Sequence, residues 1–417
     1  MAENLGRRWT SLAVKWAPYL FAVLFLVFLV RVARLDGYQD FDVYHRVARR
    51  MTEGRWLDVY SLADLPGIFR YSPFSFALVF PWGWLDLNTA RILWYLLSCG
   101  LWLGVYRVLA RTLASISQES RQLQPPAGIL AIAFLFNARF LIDNALIGQV
   151  SAWMMLGIGL AWQGWIQNRP RLFAAGIWIP SVLKLGTLAF VAPWARMPFR
   201  SIFRFGMTFL FLCICSYLPI LFGLKTNLEQ HLTLWSQWMQ TLGTVLTPTS
   251  QDYLDCSHYG SQALNSALLR WSEHGWISAN AVFEIWSWGS LLAFGLVALL
   301  GVVTPWRQAN SLERTLMFAF AIQTYLVWMP FTAKYSLTFL LIPMIALLWE
   351  KSLRGRRILI GGFLAFLTLP GKDIVGSDLF FGIQKLSLPA FVLLGIWLSL
   401  LIKVVQISLQ MRSKKSV

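Results

Sequence analysis

The sequence predicts an all-α polytopic membrane protein, a bundle of about 12 transmembrane helices (roughly 11–13) with interfacial helices in its first outer loop. Three observations predict it. Of 417 residues, 57% are hydrophobic and only 13% charged, with 22 Trp and 30 Phe. Soluble domains carry about a quarter charged residues, so too little polar surface remains here to coat a particle in water. Apolar stretches near the 20 residues needed to cross about 30 Å of hydrocarbon recur along the chain, and basic clusters alternate between them.

The stretches begin around Trp16, Ala90, Ala127, Val150, Phe203, Ala281, Leu316, Tyr335, Ile358 and Leu388. Two shorter ones, residues 172–183 and 185–194, lie back to back on either side of Lys184. The basic clusters at residues 7–15, 107–121, 169–171, 196–204, 307–314, 351–357 and 403–415 fall on one side of this pattern. That side holds 21 of the 36 Lys and Arg but 4 of the 19 acids. The Lys/Arg bias puts it in the cytoplasm, together with both termini. The net charge of +17 is thus a topology signal, and nucleic acid is not an expected partner.

Arg7 and Arg8 precede the first span and no small-residue cleavage site follows it, so it reads as a retained helix rather than a removable signal peptide. Cys99, Cys213 and Cys215 fall in spans and Cys256 stands alone in a loop; no disulfide framework or CxxC spacing exists. The whole chain, residues 1–417, reads as one integral-membrane domain. Two outer loops, about residues 34–88 and 225–280, are long enough to hold chemistry. Within the first, the apolar piece at residues 73–85 is too short to cross and reads as lying on the outer surface. Between the two short half-spans, Lys184 would cost roughly 2.5–3.5 kcal/mol to insert, and a buried anion is the simplest group to offset it.

Just after the first span the chain reads Asp36-Gly37-Tyr38-Gln39-Asp40-Phe41-Asp42-Val43-Tyr44-His45, followed by Arg46, Arg49 and Arg50. Apolar residues recur here at helical spacing with the arginines opposite, the pattern of a short amphipathic helix on the membrane surface. Its arginines are then expected to face head groups or a phosphate-bearing ligand. One of the three acids could act as a general base beside positive charge. The plainer reading is a solvated loop whose acids balance its arginines. On a helix Asp40 and Asp42 stand about 200° apart, so one faces a pocket and the other water or Arg46.

The run Asp40-Phe41-x-Val43-Tyr44, the Gly54…Tyr60 turn and Arg70-Tyr71-Ser72-Pro73-Phe74, with Pro81 after it, resemble the first outer loop of glycosyltransferase family 87. Further matches follow in order: Gly148-Gln149 opening a span, Lys184 between two short helices, and Gly260-Ser261-Gln262-x-x-Asn265-Ser266…Arg270 in the second long loop. The resemblance covers about residues 15 to 345. Near the ninth span the family often carries a His where this chain reads Met329-Pro330-Phe331-Thr332-Ala333-Lys334-Tyr335. The second-loop motif departs as well, with Ser-Gln-Ala-Leu-Asn where Asn-Gln-Ser is more usual.

The resemblance implies a GT-C-like bundle that moves a hexose, mannose first among them, from a polyprenyl-phosphate donor to a lipid or glycan acceptor, with inversion. Transfer would occur on the extracytoplasmic face of the cell membrane, plasma or inner. It makes Asp40 the base that deprotonates the acceptor hydroxyl, with Asp42 and Asp36 as fallbacks. Lys184, Arg70 and Lys334 are the cations expected at the lipid phosphate, whose departure needs positive charge and donors. Tyr71, Gln149, Gln262, Asn265 and Arg270 fall on the matching motifs as substrate contacts. His258 is a further candidate beside Tyr259. No carboxylate–His spacing demands a metal, and neither metal nor cofactor is expected. A transporter or flippase of lipid-linked sugar, or a non-catalytic assembly subunit, stands as the alternative. The transporter would predict ionisable residues deep in several spans.

Overall fold

The structure is a computed structural model that describes residues 23, 26–32, 34, 39–64, 67–120, 126–224, 227–245, 261–330, 332, 334–350 and 376–413. Among the described residues the fold is helical and contains no strand. The first long loop folds into α1 (Gln39–Thr52) and three linked short pieces: a 3-10 turn at Pro73–Ser75, α2 (Phe76–Val79) and a second 3-10 turn at Phe80–Trp84. Pro73 and Pro81 open the two 3-10 turns. They lack the amide that a continuous helix would need, so the apolar run at residues 73–85 breaks up and packs beneath α1.

The hydrophobic stretches then become α3 (Leu87–Ser120), α4 (Pro126–Ile147), α5 (Ser151–Ile166), α6 (Pro170–Leu183), α7 (Phe199–Leu224) and α8 (Leu228–Val245). After them come α9 (Leu264–Glu273), α10 (Ala279–Val303), α11 (Ser311–Trp328), α12 (Leu341–Trp349), α13 (Ser377–Lys385) and α14 (Leu388–Ser413). Five helices among the described residues are long and apolar enough to cross a membrane: those at Leu87–Gln118, Gly128–Ala145, Phe199–Leu224, Ala279–Val303 and Leu388–Ser413. The chain is therefore a multi-pass membrane protein. The expected stretch from Ile358 lies outside the described residues, as does most of the one from Trp16.

The remaining expected spans sit inside the bundle. α5 and α6 form a hairpin turned by Asn168 in the left-handed region (φ 52°), a conformation that Asn tolerates better than most residues. Their backbones touch. A Cβ at Gly157 would lie 2.6 Å from the Gly176 carbonyl oxygen, and one at Gly176 would lie 2.3 Å from the Ala161 nitrogen. Small residues at such spacing let membrane helices approach closely. At the centre stands α11, opened by a capping box in which Asn310 and Glu313 satisfy each other's amides. It is buried on every side from Thr315 to Val327.

Its polar side chains find partners within the bundle. Gln323 donates to the Leu393 carbonyl (2.8 Å), Trp397 to Thr324 (2.8 Å) and Trp162 to Thr315 (3.1 Å). By contrast α7 is the barest of the five spans, with only 17% of its apolar window buried.

Where α6 ends, Lys184 adopts an extended backbone (φ −144°, ψ 105°), and a 3-10 helix, Leu185–Arg196, follows. The expected break between two half-length helices lies there. Val182 is left at the end of α6 with an unpaired carbonyl, and Ser72 of the first long loop donates its hydroxyl to it.

Candidate active site around Asp40 and Lys184

α1 carries Asp40 and Asp42 in its first turn, where the positive end of the helix dipole favours acids. The inward face of the helix buries Phe41, Tyr44, Val47, Ala48 and Met51. Phe41 and Tyr44 lodge against Trp94 (ring centroids 5.1 and 5.7 Å). The two acids diverge as helix geometry requires. Asp42 receives both prongs of the Arg91 guanidinium, at 2.9 and 2.8 Å. Asp42 was expected to face water or Arg46, and it meets neither alone: Arg91 lies near the start of the first long span and is nearly buried, so its fork fits the carboxylate better than an exposed neighbour on the same helix.

Arg46 instead donates to the Gly67 carbonyl (2.6 Å) and lies 3.7 Å from Asp64. Arg50 grips Asp64 with two nitrogens, and Arg49 pairs with Glu53 (3.2 Å). The arginines expected at head groups are taken up by the loop's own acids. The Arg50 guanidinium in turn holds the Asp64 carboxyl below its ordinary value.

Asp40 is half-buried and lies within reach of the Lys184 charge. Burial pushes its carboxyl up to about 6, and the charge of Lys184 opposes that rise. The Lys184 ammonium lies 3.5 Å from the Ser336 hydroxyl. Its own carbonyl accepts from the Thr187 hydroxyl (2.8 Å) and amide (3.1 Å), which locks the break in place.

One turn along α1 from Asp40, the Tyr44 hydroxyl donates to Gln149 Oε1 (3.3 Å) and lies 3.0 Å from the Tyr71 hydroxyl. Gln149 follows Gly148, whose positive φ (73°) makes the turn into α5. Trp94 donates to the Gly148 carbonyl (2.9 Å) and fixes that turn against the aromatic cluster. The Arg70-Tyr71-Ser72 strip is held by its backbone. Trp238 donates to the Arg70 carbonyl (3.2 Å), Tyr60 to that of Tyr71 (2.7 Å) and Ser75 to that of Ser72 (2.7 Å). Arg70 and Tyr71 are thus carried on a fixed segment.

The second-loop residues form a separate cluster. Ser261 and Gln262 pair with Thr332, the Gln262 amide donating to its carbonyl (2.7 Å) and the Thr332 amide to the Ser261 hydroxyl (3.1 Å). Asn265 donates to the Pro330 carbonyl (3.3 Å). Arg270 is fully buried and donates to the Ser387 hydroxyl (2.9 Å) and the Ser261 carbonyl (3.2 Å). This cluster fastens the second loop to the chain break after α11.

That break leads through Lys334 into the 3-10 helix Lys334–Leu340, which brings Ser336 to Lys184. Tyr71 and Gln149 therefore meet at the Tyr44 hydroxyl, and Asp40, one turn earlier on α1, feels the charge of Lys184, while Gln262, Asn265 and Arg270 belong to the separate second-loop cluster. His258, Asp36 and the side chain of Lys334 lie outside the described residues.

Sequence reasoning missed Tyr44 as a linker, although its place four residues after Asp40 on a helix was the available signal. For Ser336 and Arg91 nothing local in the sequence points to their partners. Among the described residues no group of three or more His, Cys, Asp or Glu is placed to hold a metal ion. Chemically, the arrangement offers a half-buried carboxylate, an ammonium whose charge reaches it, and amide and phenol groups suited to sugar hydroxyls.

The model of glycosyltransferase family 87 matches residues 69–331. The match takes in Arg70, Tyr71, Gln149, Lys184, Gln262, Asn265 and Arg270, and begins after Asp40 and Tyr44. No curated protein and no solved structure matches the chain.

Proposed function

The chain belongs to glycosyltransferase family 87, and from that premise we propose that it transfers a hexose, mannose first among candidates, from a polyprenyl-phosphate donor to a hydroxyl of a lipid or glycan acceptor. The observation that carries the reading is the Asp40 carboxyl within reach of the Lys184 charge, with its pKa raised to about 6. A base poised just below neutral pH is ionised when it meets substrate and still accepts a proton readily.

In the proposed step the Asp40 carboxylate takes the proton of the acceptor hydroxyl. The freed oxygen attacks the anomeric carbon from the face opposite the phosphate. The anomeric carbon–oxygen bond breaks, and its electron pair leaves on the polyprenyl phosphate. Inversion follows from a single displacement. Lys184, with Arg70 and Lys334 as further cations, neutralises the leaving phosphate; a cation aimed where charge develops lowers the barrier without reorganisation. Tyr71, Gln149, Gln262 and Asn265 bind sugar hydroxyls, and Arg270 holds the second-loop wall. The Lys/Arg bias supports an extracytoplasmic site in the cell membrane with both termini in the cytoplasm.

The test is to incubate the purified protein with a panel of polyprenyl-phosphate sugars and measure release of the lipid phosphate. Release with one sugar and an added acceptor, lost in Asp40→Asn, supports the proposal. Movement of the intact donor across vesicles without release would make the chain a flippase instead.

A further inference from the structure

Far from Asp40 along the chain, the first turn of α6 and the second to fourth turns of α7 present a basic, apolar-floored groove that the transfer reaction does not use. Arg171 and Arg204 stand on its two sides, and Phe203, Met207, Thr208 and Phe211 line it, enclosing about 260 Å³. Both arginines are exposed, and among the described residues neither makes an ion pair or hydrogen bond. Arg200, one turn before Arg204, is exposed as well.

Along α7 the apolar lining repeats every four residues. Phe203, Met207 and Phe211 form a stripe about 12 Å long on one face, and they are 58%, 50% and 62% exposed. This helix is also the least buried of the five membrane-length spans, so its bare face meets hydrocarbon.

We propose that this groove binds an anionic phospholipid, with the head-group phosphate on Arg171 and Arg204 and one acyl chain laid along Phe203, Met207 and Phe211. Basic pockets between membrane helices favour anionic head groups. A zwitterionic lipid offers the same phosphate but brings an ammonium that cancels the attraction. A second copy of this chain in a two-fold contact would set arginine against arginine, which charge disfavours. The hydroxyl of Thr208, one turn below Arg204, gives the glycerol region a hydrogen-bond partner.

The test uses the full chain in nanodiscs of equimolar phosphatidylglycerol and phosphatidylcholine, with retained lipid counted by native mass spectrometry after brief detergent exchange. The wild-type protein is expected to keep phosphatidylglycerol preferentially. Each arginine near an anionic head group is worth about fivefold, so Arg171→Gln with Arg204→Gln is expected to lower the retained ratio about 25-fold. Met207→Trp, which fills the groove and leaves both arginines, is expected to lower retention too. An unchanged ratio in the double arginine variant overturns the proposal. So does an equal fall in Arg107→Gln with Arg111→Gln on α3, which would make the effect one of general charge. Displacement of the lipid by inorganic phosphate would overturn the lipid as the ligand.

Discussion

Two carboxylates two residues apart on α1 live in opposite surroundings. Asp42 meets a guanidinium that offers two aligned donors, and the pair ties α1 to the first long span. Asp40 is half-buried, and burial raises its pKa to about 6 while the charge of Lys184 opposes the rise. A charge that is fully matched by hydrogen bonds holds structure together. A charge kept at a cost in a half-buried place is the pattern of a functional group. About half a helix turn thus separates an acid that braces the fold from the acid proposed for chemistry, and each contrast below can break that division.

The largest expected effect is on turnover in Asp40→Asn. The amide keeps the size and loses the basicity, so transfer is expected to fall about 10²- to 10⁴-fold with donor binding retained. Folding stability at neutral pH is expected to hold or rise slightly, because a carboxyl with a raised pKa is disfavoured when ionised.

The pH profile of kcat/KM comes next. Below about pH 6 Asp40 takes a proton, and the rate is expected to fall about tenfold per pH unit. In Lys184→Met that inflection is expected to move upward, since Lys184 lowers the Asp40 pKa. The same variant is expected to weaken donor binding about 10- to 100-fold, the worth of a charged hydrogen bond to phosphate. An inflection that stays in place would separate Lys184 from Asp40.

Smaller still is Tyr44→Phe. It removes the hydroxyl that joins Gln149 to Tyr71, and a net hydrogen bond of about 0.5–1.5 kcal/mol corresponds to a few-fold to about tenfold loss in kcat/KM. Least affected in activity is Asp42→Asn, expected to stay within a few-fold of wild type. Its cost is expected in thermal stability instead, about 1–3 kcal/mol for a charged, partly buried contact.

How much of this was legible in the sequence depended on the distance between partners. The divergence of Asp40 and Asp42 follows from 100° per residue along a helix and was readable at once. The break at Lys184 was readable too, because two apolar runs of about half the spanning length flank a single charge. Partners far apart in sequence were not. Arg91 stands 49 residues from Asp42, and nothing near either residue distinguishes that pairing from the nearby Arg46.

Hydropathy carried the same bias. It found both α7 and α11 as apolar stretches but did not separate them: α7 is the least buried of the five membrane-length helices, whereas α11 is buried although it carries Arg314, Gln323 and Thr324. Those polar groups are tolerated because the surrounding helices satisfy them, and no window on a single helix contains that information. The motif residues Gln262, Asn265 and Arg270 were readable as a group, but their attachment to Pro330 and Thr332 required the fold.

The most direct test of the division on α1 is a side-by-side transfer assay of Asp40→Asn and Asp42→Asn in the full chain, with donor binding and melting temperature measured on the same preparations. The expected result is crossed. Asp40→Asn binds donor and melts normally yet transfers at least about 100-fold more slowly, whereas Asp42→Asn melts lower yet transfers near the wild-type rate. An inactive Asp42 variant beside an active Asp40 variant would contradict the account.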